Sequence, residues 1–493
     1  MRANDFARLY QDRQMGEKHY RFRSVTKDAT HFSLVPSQDF QMPIKESLGY
    51  PLVYRRELKA WISDLLLEPL DLSKSLWQVT TATGGNIGQS GAISTSDATT
   101  TTTTTMIPKH HQLFDDNVES LLLFRAHHCM ADGVSLGALF VDLMDEQEEM
   151  QAMMAGKIGA FKKNRKKKSW LQKLLVMMYY WGWGSIKTFA YQLYLYGANL
   201  KIALFRSNPW KKLQRAYEAN KTISEDAPKR TLSWVSVCPV DEVKQVAEYF
   251  STNKRQKVTI NDIFCSCISA AMARLVQYHQ SQHPELSLKL PYMNLVMPVH
   301  MFGGVLLPGH SMGNKIGAMV SRIPGTETTS SKERLMQVHS TLHNRKMTPA
   351  AVWSYLTAKV VGTIGFGGGS SSSSSSSGGG PVLEDDESGN SGDNTLIPWL
   401  FEKSHANASV VVTNVRGPEA MVHLDGRRVE RFLGFLPLPP GIPVGMVVQS
   451  YANNVTLTIM AEPWAVPDAM GDLFLSWVVE EYDSLRRQAK FAQ

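Results

Sequence analysis

The spacing of apolar positions changes several times along the chain, and each change marks an element. "VESLLLFRAHH", with Leu121 to Phe124 as its apolar run, reads as a strand that ends at a pair of histidines. Beyond Asp132 and Gly133 the period lengthens. Leu136, Leu139, Phe140, Leu143 and Met144 recur at i, i+3, i+4, i+7 and i+8, which predicts one helix over 134–150. "TINDIFCSCISAAMARLVQYH" predicts a second helix, with Ile260, Phe264, Cys267, Ile268, Ala271 and Leu275 on one face. Strand-like runs follow: "YMNLVMPVHM", "NKIGAMVSRIP", "NASVVVTNV", "VGMVVQSY" and "VTLTIMAE". The "ANN" between the last two is a hairpin turn. Strands and long helices in both halves predict an α/β fold.

Two stretches break the pattern. "TTATGGNIGQSGAISTSDATTTTTTT", within about 80–108, and "GGGSSSSSSSSGGG" with the acidic "EDDESGNSGDN", within about 366–395, have too little apolar surface to offset chain entropy. They read as loop insertions within domains. A third stretch differs in kind. "KKNRKKK" from Lys162 to Lys168 precedes a segment rich in Leu, Met, Tyr and Trp. Lys173, Lys187 and Lys201 interrupt it, so it holds no uncharged run long enough to span a bilayer. Three readings stay open for it: a helix lying in a membrane interface, a membrane span over 171–204, or a buried helix pair joining two domains.

Composition narrows the classes. The chain has 493 residues, 43% of them apolar, a net charge of +7 and a pI near 9.0. That is mildly basic, and no RNA- or DNA-binding motif accompanies it, so no nucleic-acid partner is expected. The four cysteines, Cys129, Cys238, Cys265 and Cys267, form neither a disulfide framework nor a metal spacing. No metal site is expected. The N-terminal "MRANDFARLYQDRQ" has no apolar core of a secretory signal.

The histidine pair carries the chemistry. Strand alternation sets His128 on the face of Leu122, Phe124 and Ala126, and His127 on the other, so the two would not share a metal. Asp132 is placed to cap the following helix, and Gly133 to permit a tight turn. A histidine at a strand end suits a general base, since its pKa lies near neutrality. No G-x-S-x-G nucleophile motif is present, so direct transfer with His128 as base is simpler than a covalent relay.

"HHCMADG" matches the HHxxxDG motif of the CoA-dependent acyltransferases. "EPLDLSKSLWQV", "TINDIF", "MPVHMFGG", "MGNKIG", "TNVRGP" and "VQSYANNVTLTIMAEPWAVPD", in that order, resemble the wax ester synthase/diacylglycerol acyltransferase family. The resemblance implies two chloramphenicol-acetyltransferase-like lobes with mixed sheets and a channel between them. The N-terminal lobe would span 1–158, a basic and aromatic membrane-associating crossover 159–225, and the C-terminal lobe 226–493. It implies O-acyl transfer from long-chain acyl-CoA to diacylglycerol or a fatty alcohol, giving triacylglycerol or wax ester. Acyl-CoA would be a co-substrate, with no metal or redox cofactor. His128 would be the base. Asp132 would hold the loop, with help from a distant arginine, and His127 and Gly133 would shape the turn. Asn261 would either support the oxyanion or cap its helix, Asp262 would be structural, and Asn414 and Gly417 would line the channel. The expected location is a membrane, on its cytoplasmic face, at the endoplasmic reticulum or a lipid droplet. The alternatives are a non-catalytic lipid-binding protein of the same fold, or an acyltransferase for another alcohol.

Overall fold

The computed structural model describes residues 1–26, 32–47, 55–83, 120–128, 130–153, 170–204, 208–220, 230–251, 257–301, 315–326, 330–365, 408–439 and 441–490. Both low-complexity segments fall largely outside these residues, as do Cys129, the Lys162–Lys168 run and the first part of "MGNKIG".

In chain order the helices are α1 (Ala3–Asp12), α2 (Met15–Lys18), α3 (Arg55–Leu67), α4 (Gly133–Leu143), α5 (Trp170–Met178), α6 (Gly184–Leu204), α7 (Pro209–Asn220), α8 (Val240–Tyr249), α9 (Ile260–Gln282), α10 (Ser331–Lys346), α11 (Ala350–Gly365) and α12 (Gly471–Lys490). The strands are β1 (Ser24–Thr26), β2 (Phe32–Leu34), β3 (Ile44–Ser47), β4 (Trp77–Thr83), β5 (Ser120–Ala126), β6 (Thr231–Pro239), β7 (Tyr292–His300), β8 (Ile316–Pro324), β9 (Ala408–Arg416), β10 (His423–Leu424), β11 (Arg427–Arg428), β12 (Val444–Tyr451) and β13 (Asn454–Ala461).

A six-stranded sheet, in the order β6-β13-β12-β9-β7-β8, organises the C-terminal half. It is mixed: β9 runs parallel to both β12 and β7, and the other pairs are antiparallel. Alternation sorts its side chains as a two-sided sheet requires. Leu295, Met297, Val410 and Val412 enter the main core with α9 and α12. Val296 and Val411 face the other way, against Leu195 of α6. The β12–β13 hairpin turns on Ala452 and Asn453, both at positive φ (47° and 58°), the two-residue geometry that follows strand twist.

A three-stranded sheet, β3-β4-β5, organises the N-terminal half. Leu122, Phe124 and Ala126 pack with Phe6, Phe22 and Trp77, whose indole donates to the Phe22 carbonyl at 2.8 Å. Leu121 and Leu123 pack instead against the main core. The halves also exchange elements. Leu58, Trp61 and Ile62 of α3 lie in the C-terminal core, and Lys59 of α3 reaches Asp472 at 2.7 Å. In return the β10–β11 hairpin docks on the N-terminal half, with Asp425 on Arg8 and Arg427 on Asp5, each at 2.9 Å.

Two helix expectations need correction. The helix predicted over 134–150 is interrupted: α4 stops at Leu143 with Met144 extended, and helix resumes over 147–153. Asp145 is drawn out to the docked hairpin: its N–H donates to the His423 carbonyl and its carboxylate accepts from the Gly426 N–H. Helix α9 does not bury one face only. Asp262 to Ala273 are buried on every side, because α10 and α12 enclose the helix over the sheet.

Candidate active site

The histidine pair lies just past the end of β5. Its register ends at Ala126, opposite Trp77, and the chain then folds into a turn. The His127 N–H donates to the Leu76 carbonyl at 2.8 Å, and the Met130 N–H donates back to the His127 carbonyl at 2.9 Å. Met130 and Ala131 are buried and anchor the turn, while both imidazoles are exposed. Strand alternation therefore does not reach residues 127 and 128; the turn orients them. Partial desolvation, with a smaller contribution from neighbouring His128, holds the His127 pKa below the ordinary imidazole value.

Asp132 anchors the other end of the turn. It is 1% exposed and caps α4: one carboxylate oxygen accepts the Ser135 N–H at 2.8 Å. The other accepts the Lys315 N–H at 2.9 Å, from the residue that leads into β8. His300, the last residue of β7, brings Nε2 to 3.6 Å of that same oxygen. One buried carboxylate thus joins the histidine turn to the end of the β7–β8 hairpin. No arginine touches Asp132 among the described residues; His300 and the Lys315 backbone stand there. Burial lowers the His300 pKa; Asp132 opposes that shift and Lys315 adds to it.

A second cluster sits on the six-stranded sheet. Asn414 of β9 donates through Nδ2 to Oδ1 of Asn261, in the first turn of α9. Continuing the β7–β9 register past Val296–Val411 puts His300 and Asn414 at the same, carboxyl end of adjacent strands. Alternation turns the two side chains to opposite faces, Asn414 with Val412 toward α9 and His300 with Val296, so the Asp132 tie and the asparagine pair share a strand end but not a face.

Residues 389–485 match the WS/DGAT C-terminal domain family. The resemblance read from the sequence motifs thus holds in the lobe that carries Asn414 and Gly417. A trichothecene 15-O-acetyltransferase from Fusarium sporotrichioides overlays with a TM-score of 0.51 at 12% identity, covering 99% of this chain and 87% of that one. The wax ester synthase/diacylglycerol acyltransferase from Marinobacter aquaeolei VT8 overlays with a TM-score of 0.49 at 15% identity, covering 98% and 90%. No curated protein matches by sequence. The fold is α/β, with two chloramphenicol-acetyltransferase-like lobes and mixed sheets.

The remaining WS/DGAT-type positions divide by geometry. Asn261 is not the cap of α9. Thr259 is, in a capping box with Asp262, which frees the Asn261 carboxamide for Asn414. Asp262 is 1% exposed and holds His339 at 2.9 Å and Lys346 at 3.2 Å, a structural tie between α9 and α10. Gly417 is glycine for a packing reason: a Cβ there would lie 2.5 Å from the Ser450 carbonyl oxygen, to which its own N–H donates. Gly133 is not needed for a tight turn. The described glycines at positive φ are Gly426 and Gly441, and a Cβ on Gly133 would meet nothing within 4 Å. The space beside Gly133 at the start of α4 is therefore open.

Sequence reasoning missed His300 and Lys315. Both lie in segments already marked by resemblance, "MPVHMFGG" and "MGNKIG", but nothing local shows that they meet a residue 168 and 183 positions away. Among the described residues no group of His, Cys, Asp and Glu is arranged to hold a metal ion. Cys238, Cys265 and Cys267 are buried, and burial pushes the first two thiols up to about 12, which makes poor nucleophiles.

Proposed function

We propose that this chain is an acyl-CoA-dependent O-acyltransferase that esterifies diacylglycerol or a long-chain fatty alcohol, with His128 as general base. A WS/DGAT C-terminal domain and an acyltransferase fold support an acyltransferase. The observation that carries the finer reading is the exposed histidine turn pinned by buried Asp132 to the C-terminal lobe. A base must be accessible to its substrate yet fixed in direction, and this turn is both.

In this reading the His128 imidazole accepts the proton of the acceptor hydroxyl. The oxygen attacks the thioester carbonyl, the C–S bond breaks, and the CoA thiolate takes the proton back from the imidazolium. Asn261, its Oδ1 engaged by Asn414, keeps Nδ2 to donate toward the developing oxyanion. Asp132 keeps the turn in register and touches no substrate. His127, its pKa lowered, stays neutral near pH 7 and shapes the turn.

The test is product analysis with purified protein, radiolabelled palmitoyl-CoA, and either hexadecanol or diacylglycerol. Wax ester or triacylglycerol should form with stoichiometric release of free thiol. Folded protein that yields neither ester from either acceptor overturns the reading.

A further inference from the structure

Helix α6 has two apolar faces, and only one is used. Gly184, Thr188, Tyr191 and Leu195 recur at i, i+4, i+7 and i+11 and seat the helix on the C-terminal lobe. Gly184 packs against Pro349, and Leu195 enters the sheet core beside Val296 and Val320. The Tyr191 hydroxyl accepts the Arg322 N–H at 2.8 Å, and the Arg345 guanidinium lies 3.9 Å over its ring. Ile186, Phe189 and Leu193 form the opposite stripe and stand in solvent, Leu193 at 73% exposed. Helix α5 continues it with Trp170, 74% exposed, Leu175 and Met178. A buried helix pair would not leave these side chains out, so that alternative fails. Scattered exposed apolar residues are ordinary; a continuous run over two helices marks a binding surface.

Charge selects the occupant. From Met150 to Tyr217 the sequence holds fourteen lysines and arginines and no aspartate or glutamate. The whole chain carries +7, so all the rest carries −7. A second copy docked face to face on α6 would bring Lys187 and Lys201 of each copy together, and like charges repel. An anionic apolar surface suits both properties at once. Lys187 holds its ammonium 6.0 Å from the Tyr179 ring and 5.8 Å from the Trp183 ring, an amine carried on aromatic side chains as at a headgroup boundary. No described helix is long and apolar enough to cross a membrane, so the helices would lie on the surface rather than span it.

We infer that the outer face of α5 and α6 docks the protein, lying flat, on an anionic lipid surface. The docking face is rigidly tied to β8 through Arg322, and β8 follows directly on Lys315, which holds Asp132. The lipid surface and the histidine turn are therefore fixed to the same hairpin. This inference concerns binding alone and stands or falls independently of acyl transfer.

The experiment is flotation of the full chain with vesicles, either neutral phosphatidylcholine or the same lipid with about 30% phosphatidylserine, at low salt and at about 0.5 M salt. The anionic vesicles should bind at least about tenfold more tightly, and high salt should remove most of that advantage. A Leu175→Glu/Ile186→Glu/Leu193→Glu variant should lose at least about 100-fold in partitioning, with circular dichroism and melting temperature unchanged, since the three side chains support no core. Equal binding to both lipids regardless of salt overturns the charge argument, and does so on wild-type protein alone. A folded variant that floats like wild type overturns the docking face. So does a lipid-free dimer, seen by light scattering, that the three glutamates dissolve.

Discussion

Asp132 and Asp262 are both motif aspartates, both 1% exposed, and both within the first turn or cap of a helix, yet they do different things. Asp262 is compensated inside one lobe, by its capping box with Thr259 and by His339 and Lys346 of α10. Asp132 is compensated across lobes, by the Ser135 N–H on one side and the Lys315 N–H on the other, with His300 Nε2 3.6 Å away. A buried carboxylate must find donors, and where it finds them decides its task. Asp262 welds a lobe; Asp132 aligns two lobes at the histidine turn. Losing Asp262 should therefore cost stability first, and losing Asp132 should cost activity first.

The largest loss of stability should follow Asp262→Ala. Removing one partner from a buried ionic cluster costs about 3–5 kcal/mol, because the partner left behind stays desolvated. Urea or thermal unfolding would show it. A loss under about 1 kcal/mol would mean that His339 and Lys346 simply turn to solvent.

Asp132→Ala should cost less, about 2–3 kcal/mol, from the lost cap and the stranded Lys315 N–H. Its turnover should fall by about 100-fold or more, since the turn is no longer fixed. Asp132→Asn still accepts one of the two N–H groups and should recover part of both. If the ratio is reversed, with Asp262→Ala the more damaging to turnover in folded protein, the distinction between the two aspartates is wrong.

The smallest effect distinguishes them by pH. The folded-state pKa of His300 is lowered, chiefly by burial, so its protonation favours the unfolded state. Its contribution is complete above about 6.5 and is lost as pH falls through the lower folded value. His300→Gln should flatten the acid limb of stability below about pH 6.5, by at most about 1.4 kcal/mol per pH unit. An unchanged slope would mean that His300 is not desolvated at the end of β7.

Much of this was legible locally. Apolar alternation and the "ANN" turn marked the last hairpin, and both central residues do take positive φ. Asp132 before a 3.6-residue period marked a cap. What failed was reasoning carried one step past an element's end. Alternation was extended to His127 and His128, but the Met130-to-His127 hydrogen bond has already turned the chain. The period predicts unbroken helix over 134–150, but a hairpin some 280 residues away captures Asp145 and breaks it at 144–146. The asparagine pair, the His300 approach and the α3 exchange are long-range contacts, and period carries no information about those.

Proton transfer is assigned to His128, not to either aspartate, so His128→Ala measured beside His127→Ala is the most direct test. Turnover from labelled acyl-CoA should fall by about 10²–10⁴-fold in His128→Ala, with melting temperature and acyl-CoA binding nearly unchanged. His127→Ala should lose far less. A folded His128→Ala protein with near-wild-type turnover, or a folded His127→Ala protein with none, would contradict the account.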